Sequence, residues 1–526
     1  MNLGDIKQKF KIENIDFLGI VILFIIFTQW ALASNLNVDS MFLYNRAYNM
    51  LSCIKEYIYP YFYYKDFHGV GYGSSFFYGQ LTLIPFLPFV YNINVFIKVY
   101  YLVDIILNYI GVCYFSKRFT KNYRLIAILY ITSNLYLSYI MYCNRLAVGI
   151  SWFFLAKCID YFRDKRDFYP ASILFFLILN THILTTIFSF IMCICIMIYY
   201  FDKLKIKSYF QFALFTILIC SYNILNFLWH FGDFVNIDVK STVNDSTYHL
   251  TFSNIPFLST FIEKYLYVVT RFNTFRFLTI VSLSVFVFCV FNFVKSKTNF
   301  LKKTIWGICL LSFILGINDI WQCIISKLNV FFYFPSRYML YTLVLFLIIS
   351  LQNVEIKKSI KTFILCVCVF DLIFGMSNVQ HSADLPENDI KKDYTIMSGE
   401  YLYKDFIFNT DLFNELSNNA TVVGNNEKLI YQTDKNKFIL FVPKHDKFWT
   451  IRIPKLYYKG YKTNVKEIKP KMGYSQFIEL DVGKYNGRLE IYYEHPKFLI
   501  LVQLLNILFF LLSFVYKIYE KDLTNL

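Results

Sequence analysis

The chain has 526 residues, of which 57% are hydrophobic, 21% aromatic and only 17% charged, and its formal net charge is +16. Soluble globular domains run nearer half apolar and a quarter charged, so this balance excludes an ordinary soluble enzyme and points to a membrane protein. Nucleic-acid binding needs Lys and Arg gathered on one exposed face, whereas here they fall in short clumps between long apolar runs.

The same runs carry most of the twelve cysteines, among them Cys113, Cys158, Cys193, Cys195, Cys220, Cys289, Cys309, Cys366 and Cys368. Thiols in such surroundings behave as small hydrophobes rather than as a disulfide framework. Neither Cys193/Cys195 nor Cys366/Cys368 has a second ligand pair nearby, so no zinc site is expected. No internal repeat or low-complexity tract is present.

A bilayer-crossing helix needs about 20 mostly apolar residues. Apolar segments near 15–33, 93–115, 124–142, 146–162, 169–181, 183–201, 208–230, 273–294, 303–317, 338–352, 360–377 and 497–516 predict a polytopic α-helical membrane protein of about 12 spans. Short basic loops orient it. Lys7, Lys9 and Lys11 precede the first span; Lys117 to Arg124, Arg163 to Arg166, Lys203 to Lys207, Lys295 to Lys303 and Lys357 to Lys361 follow at alternate connections. These clusters belong on the cytoplasmic side, which puts both termini in the cytoplasm. The segment FFYGQLTLIPFLPFV (76–90) is apolar but short and broken by Pro85 and Pro88. It reads as a re-entrant or interfacial piece closing a first external loop over 34–92.

The long polar segment 378–496 falls outside the membrane on this topology. Its runs KLIYQ, KFILFVP, FWTIRIP, QFIELDV and RLEIYYE alternate apolar with polar residues, the period of half-buried strands. Lys459-Gly460, Met472-Gly473 and Asn486-Gly487 supply turns between them. A small external β-sandwich-like domain before the last span is therefore expected, with 1–377 as the membrane domain and 497–526 as the final helix and tail.

Polar groups gather at the outer rim: Asp39, Arg46, His68, Lys98, Arg145, His182, Asp319 and Arg337. Such groups near a bilayer are costly and call for an explanation. Asp39 can take a proton from an attacking sugar or polyol hydroxyl; the competing reading is that Asn37 or Asp39 caps a short helix, with Arg46 its partner. Arg145 and Arg337 offer the guanidinium fork that suits a phosphate, or snorkel to lipid headgroups. His182 is a lone imidazole, the kind more often structural than catalytic. Gly69, Gly71 and Gly73 have neither a preceding strand nor a following Lys-Ser/Thr, so the dinucleotide-loop and P-loop readings fail.

Five segments, VDSMFLYNR (38–46), GYGSSFFYGQLTLIPFL (71–87), YCNRLAVG (142–149), NTHILTT (180–186) and FPSRYML (334–340), together with LYYKGYKTNV (456–465), resemble the YfhO-type bacterial membrane proteins. These belong among the GT-C glycosyltransferases, which use polyprenyl-phosphate-linked sugars outside the cytoplasm. The resemblance implies that Asp39 is the general base. It also implies that Arg46, His68, Lys98, Arg145, His182 and Arg337 bind donor phosphate or substrate, and that the sugar moves with inversion to a polyol or glycan acceptor. No cofactor and no metal site are predicted, although the chemistry admits a divalent cation. Membrane lipids are expected as partners and nucleic acid is not. A lipid-linked oligosaccharide flippase or a glycan polymerase is the alternative. The chain departs from the family pattern at Leu43, Ile150, Ser336 and Gly79, changes that would alter donor or acceptor choice or weaken activity.

The topology is directly checkable: a reporter fused after Lys121 is expected to score as cytoplasmic, and an external score would overturn the exclusion of 76–90 from the spans.

Overall fold

A computed structural model of the chain describes residues 19, 21–26, 38–57, 79, 81–133, 136, 146–201, 206–231, 339–352, 354–357, 359–366, 368, 419–424, 427–434, 437–473 and 477–523. Its helical part comprises α1 (Val38–Lys55), a 3-10 segment (Leu81–Phe89), α2 (Ile93–Ser116), α3 (Tyr123–Ile131), α4 (Leu146–Asp164), α5 (Tyr169–Leu179), α6 (Ile183–Tyr199), α7 (Ile206–Phe231) and α8 (Met339–Leu351). A final helix, α9 (Lys497–Leu523), follows the β-region.

The expectation of about twelve spans does not hold. Among the described residues only two helices are long and apolar enough to cross a membrane, Ile93–Ser116 and Ile206–His230. The physical reason is length and burial. At about 1.5 Å per residue, α3 with 9 residues, α5 with 11 and α8 with 13 fall well short of the hydrocarbon thickness. The helix α4 is apolar because it is packed on nearly all sides, from Leu146 to Phe162. Hydropathy does not separate a residue facing lipid from one facing protein. The expected crossings at 273–294 and 303–317 lie outside the described residues.

The bundle is built on the contact of α2 with α4. A Cβ on Gly111 would come within 2.8 Å of the Gly149 carbonyl oxygen, so a larger residue there forces a backbone shift, and one on Gly149 would come within 3.1 Å of Asn108 and Leu107, a tight fit. Around this crossing Trp152 packs against Phe115, Tyr130 and Tyr341, with ring centroids 5.2, 6.2 and 4.9 Å away. At one end of the crossing Arg118 grips the Asp160 carboxylate through Nε at 2.8 Å and through Nη2. Thr120 and Asn122 donate to the Leu351 carbonyl at the end of α8, closing carbonyls the helix leaves unbonded.

The C-terminal region is also different from the expected two-sheet sandwich. Its strands are β1 (Asn419–Val422), β2 (Lys428–Asp434), β3 (Lys437–Val442), β4 (Trp449–Leu456), β5 (Tyr461–Thr463), β6 (Pro470–Met472), β7 (Phe477–Gly483) and β8 (Gly487–Tyr493). They form one antiparallel sheet in the order β5-β8-β3-β2-β1-β4-β7-β6. Its edge strands β5 and β6 lie side by side, which curls the sheet into a nearly closed barrel. Side chains fill the interior, including Phe438, Leu440, Ile451, Ile453, Leu480 and Leu489, as expected of a barrel this small. A register shift between Ile453 and Leu456 turns Lys455 inward. Its ammonium lies 5.2 Å from the Phe438 ring centroid, and burial holds its pKa down to about 8.

The barrel is seated on α7 and α9. Lys459 Nζ stands 4.1 Å from the Trp229 ring centroid, Trp229 meets Phe498 edge-on at 5.1 Å, and Tyr222 lies 6.3 Å from His495. Farther along, Phe215 packs on Phe509 at 5.0 Å and the Ser221 hydroxyl meets the Asn506 amide at 2.8 Å.

Burial at this junction depresses the His495 pKa from 6.5 to about 4. Between those values the unfolded chain binds a proton that the folded one refuses. Stability from the neutral imidazole is therefore complete above pH 6.5 and lost as pH falls toward 4, with a slope approaching about 1.4 kcal/mol per pH unit. Denaturant unfolding at pH 7, 6, 5 and 4 should show this loss, and His495→Gln should flatten the slope.

Candidate functional site

Asp39 lies in the first turn of α1 (Val38–Lys55). Arg46 lies seven residues, or two turns, farther along the same helix. It is 4% exposed. Its Nη2 donates to the Gly79 carbonyl oxygen at 3.0 Å, tying α1 to a segment 33 residues away. Gly79 in turn presses on Asn180, at the C-cap of α5: a Cβ at position 79 would meet Asn180 Oδ1 at 2.4 Å, Cα at 2.5 Å and Cβ at 2.8 Å.

Further bonds hold Asn180 in place. Thr82, in the 3-10 segment, donates to its carbonyl oxygen at 3.4 Å, its own Nδ2 donates to Phe176 O at 2.9 Å, and Asn223 of α7 donates to its Oδ1 at 3.0 Å. The 3-10 segment itself arises because Pro85 and Pro88 remove donors that an α-helix requires. Four stretches of chain, around residues 46, 79–82, 180 and 223, thus meet at one part-buried polar cluster.

His182 is two residues beyond Asn180 and is buried. It is the N-cap of α6: Nδ1 accepts from the Thr185 backbone N–H at 3.2 Å and lies 2.9 Å from the Thr185 hydroxyl. Capping supplies an acceptor to a helix start that otherwise leaves donors unbonded. Thr186 donates its hydroxyl to the His182 carbonyl at 3.0 Å, locking the same turn.

Lys98 lies in the second turn of α2 and is half-buried. No ion pair or hydrogen bond joins it to Arg46, Asn180 or His182 among the described residues. His68, Arg145 and Arg337 are outside the described residues, as is Ser336. Leu43 and Ile150 are core residues, 5% and 8% exposed. Among the described residues no group of three His, Cys, Asp or Glu side chains is placed to hold a metal ion.

Sequence reading passed over Asn180 as a separate residue, and over Thr82 and Asn223. Nothing in their local sequence marks them. Their role comes from contacts of 43 and 98 residues' separation, which only the fold supplies. Gly79 was singled out in the sequence, and the structure gives its missing side chain a steric meaning.

A second buried polar group lies within α2 and α3. Asp104, fully buried, accepts from Asn108 Nδ2 at 3.0 Å, and Tyr130 donates to Asn108 Oδ1 at 3.2 Å.

Gly79→Ala is expected to break the site rather than strain it, because two of the three clashing atoms, Asn180 Cα and Cβ, cannot swing aside. Its thermal midpoint should drop by several degrees against wild type, and the double variant Gly79→Ala, Asn180→Gly should recover part of the loss.

Comparison with protein-family models, with curated proteins and with solved structures gave no match for this chain.

Proposed function

We propose that the protein is a membrane-embedded glycosyltransferase. In this reading it moves a sugar from a polyprenyl-phosphate donor to a glycan acceptor on the extracytoplasmic face, with both termini in the cytoplasm. The observation that carries the proposal is the meeting of Arg46, Gly79 and Asn180, because these residues belong to three of the segments on which the family resemblance rests. Motifs distant in sequence that share one part-buried cluster behave as parts of one site.

In the proposed reaction Asp39 takes the proton from the acceptor hydroxyl as its oxygen attacks the anomeric carbon. The bond to the donor phosphate breaks on the opposite face, giving inversion. The departing phosphate carries its own negative charge and is stabilised by guanidinium, ammonium and imidazole groups drawn from Arg46, His68, Lys98, Arg145, His182 and Arg337. Fixed cations that meet charge as it develops supply much of such a rate. Arg46, anchored through Gly79, is positioned before substrate arrives.

One observation favours a second reading, a flippase or transporter of lipid-linked sugars. Asp104 is buried in the middle of a helix apolar enough to cross a membrane, and it is wired to Asn108 and Tyr130. Ionisable groups at such depth mark substrate or proton paths.

Asp39→Asn separates these readings. With purified protein and radiolabelled polyprenyl-linked sugar, transfer should fall by about 10² or more, the usual contribution of a general base, at unchanged protein level. Normal transfer by the variant would remove Asp39 from the mechanism. Donor moved between leaflets without being consumed would favour the flippase.

A further inference from the structure

The walls of the β-barrel carry charges in pairs. Lys437 and Arg488 both reach Glu490, at 3.2 and 2.7 Å; Arg452 holds Glu479 at 2.8 Å, Lys462 holds Glu494 at 2.7 Å, and Lys471 meets Asp481. One end of the barrel departs from this pattern. The helix α9 leaves from the C-terminal end of β8, and the contacts to Trp229 and Tyr222 are at that same end. Strand register puts Gly487 opposite Val442 and Trp449 opposite Gly483 at the other end. The seven residues of β8, at about 3.4 Å per step, separate the two ends by about 20 Å.

At this far end Phe448 is 82% exposed. Its ring passes 3.6 Å from where a Cβ of Gly483 would stand, and Lys484 Nζ lies 5.8 Å from its centroid. Beside it the Trp449 indole and His445 imidazole are stacked, centroids 4.0 Å apart and planes 13° from parallel. The two imidazole nitrogens lie 2.8 and 2.9 Å from the Pro443 and Gly483 carbonyl oxygens, which fixes the stack. Lys444, Lys447 and Lys484 are all exposed, and none forms an ion pair among the described residues. Lys428 shares this end, and against the four lysines stand Asp446 and Glu427.

A phenyl ring held in water beside unpaired ammonium groups is poised for a ligand with apolar faces and negative edges. Acidic sugars have that form: their C–H faces stack on aromatic rings and their acid groups meet lysine. The bilayer that would receive α7 lies at the opposite end, so the protein's own membrane is out of reach. We propose that the far end of the barrel docks an anionic glycan chain, stacked on Phe448 and the Trp449–His445 pair and held by Lys444, Lys447 and Lys484. This deepens the acceptor half of the proposed function and rests on it for the extracytoplasmic setting.

The test uses the full chain in zwitterionic nanodiscs with fluorescent polygalacturonate as probe, and with dextran and phosphatidylglycerol vesicles as comparisons. Polygalacturonate should bind, weaken as salt rises and exceed dextran at least tenfold. F448A should weaken binding about tenfold, in line with the worth of one stacked ring, and K444Q/K447Q/K484Q should flatten the salt dependence. All these side chains are exposed, so unchanged thermal midpoints serve as the folding control. Failure to bind polygalacturonate, or equal binding by F448A and the triple variant, overturns the proposal. Preference for the vesicles over the polymer overturns it in favour of a lipid surface. Asp39→Asn should bind the probe as wild type does while losing transfer: transfer retained by that variant counts against the enzyme reading alone, and absence of probe binding counts against this one alone.

Discussion

The bond from Arg46 to the Gly79 carbonyl sets the arrangement of the helical region. A guanidinium that is 4% exposed has left water, and it must be met by acceptors inside the protein. Meeting one from Gly79 ties α1 to the residue that precedes the 3-10 segment, and the missing Cβ at 79 lets the backbone there press on Asn180 at van der Waals limits. Thr82 and Asn223 then fix Asn180 from two more elements. The start of α6, with its His182 cap, follows two residues later and is positioned by the same anchor. Polar groups withdrawn from water in this way need partners inside the protein, and that need favours a packing that brings them together.

The second constraint is the α2–α4 crossing, where Gly111 and Gly149 let two backbones approach and the aromatic set around Trp152 fills the space beside them. The barrel is a third unit with its own interior, joined to the helices through the Tyr222, Trp229 and His495 contacts. Charges are paired along its walls, while Lys444, Lys447 and Lys484 at the far end form no ion pair among the described residues. The molecule thus carries a buried anchor in the helices and an exposed aromatic platform on the barrel.

Much of the local structure was legible in the sequence, and the architecture was not. Alternation in FIELDV appears in the burial of β7, where Leu480 and Val482 are buried and Asp481 is exposed, because a pleated strand sends neighbouring side chains to opposite faces; in β3 Phe438, Ile439 and Leu440 are all buried. The short strands β5 and β6, three residues each, carry no period, and yet they decide whether the sheet is a sandwich or a nearly closed barrel. Apolar length marked helices but overcounted spans, since α4 is apolar through contact with its neighbours and α5 is too short to cross. Of the site, Arg46 was read from charge in an apolar setting. Asn180, Thr82 and Asn223 are ordinary polar residues whose importance exists only once distant segments meet.

Photo-cross-linking in native membranes tests whether these segments meet. With a photoreactive residue in place of Thr82 in the full chain, the account predicts adducts to the peptide containing Asn180, detected by mass spectrometry. Adducts confined to other segments, with none to residues 176–186, would contradict it.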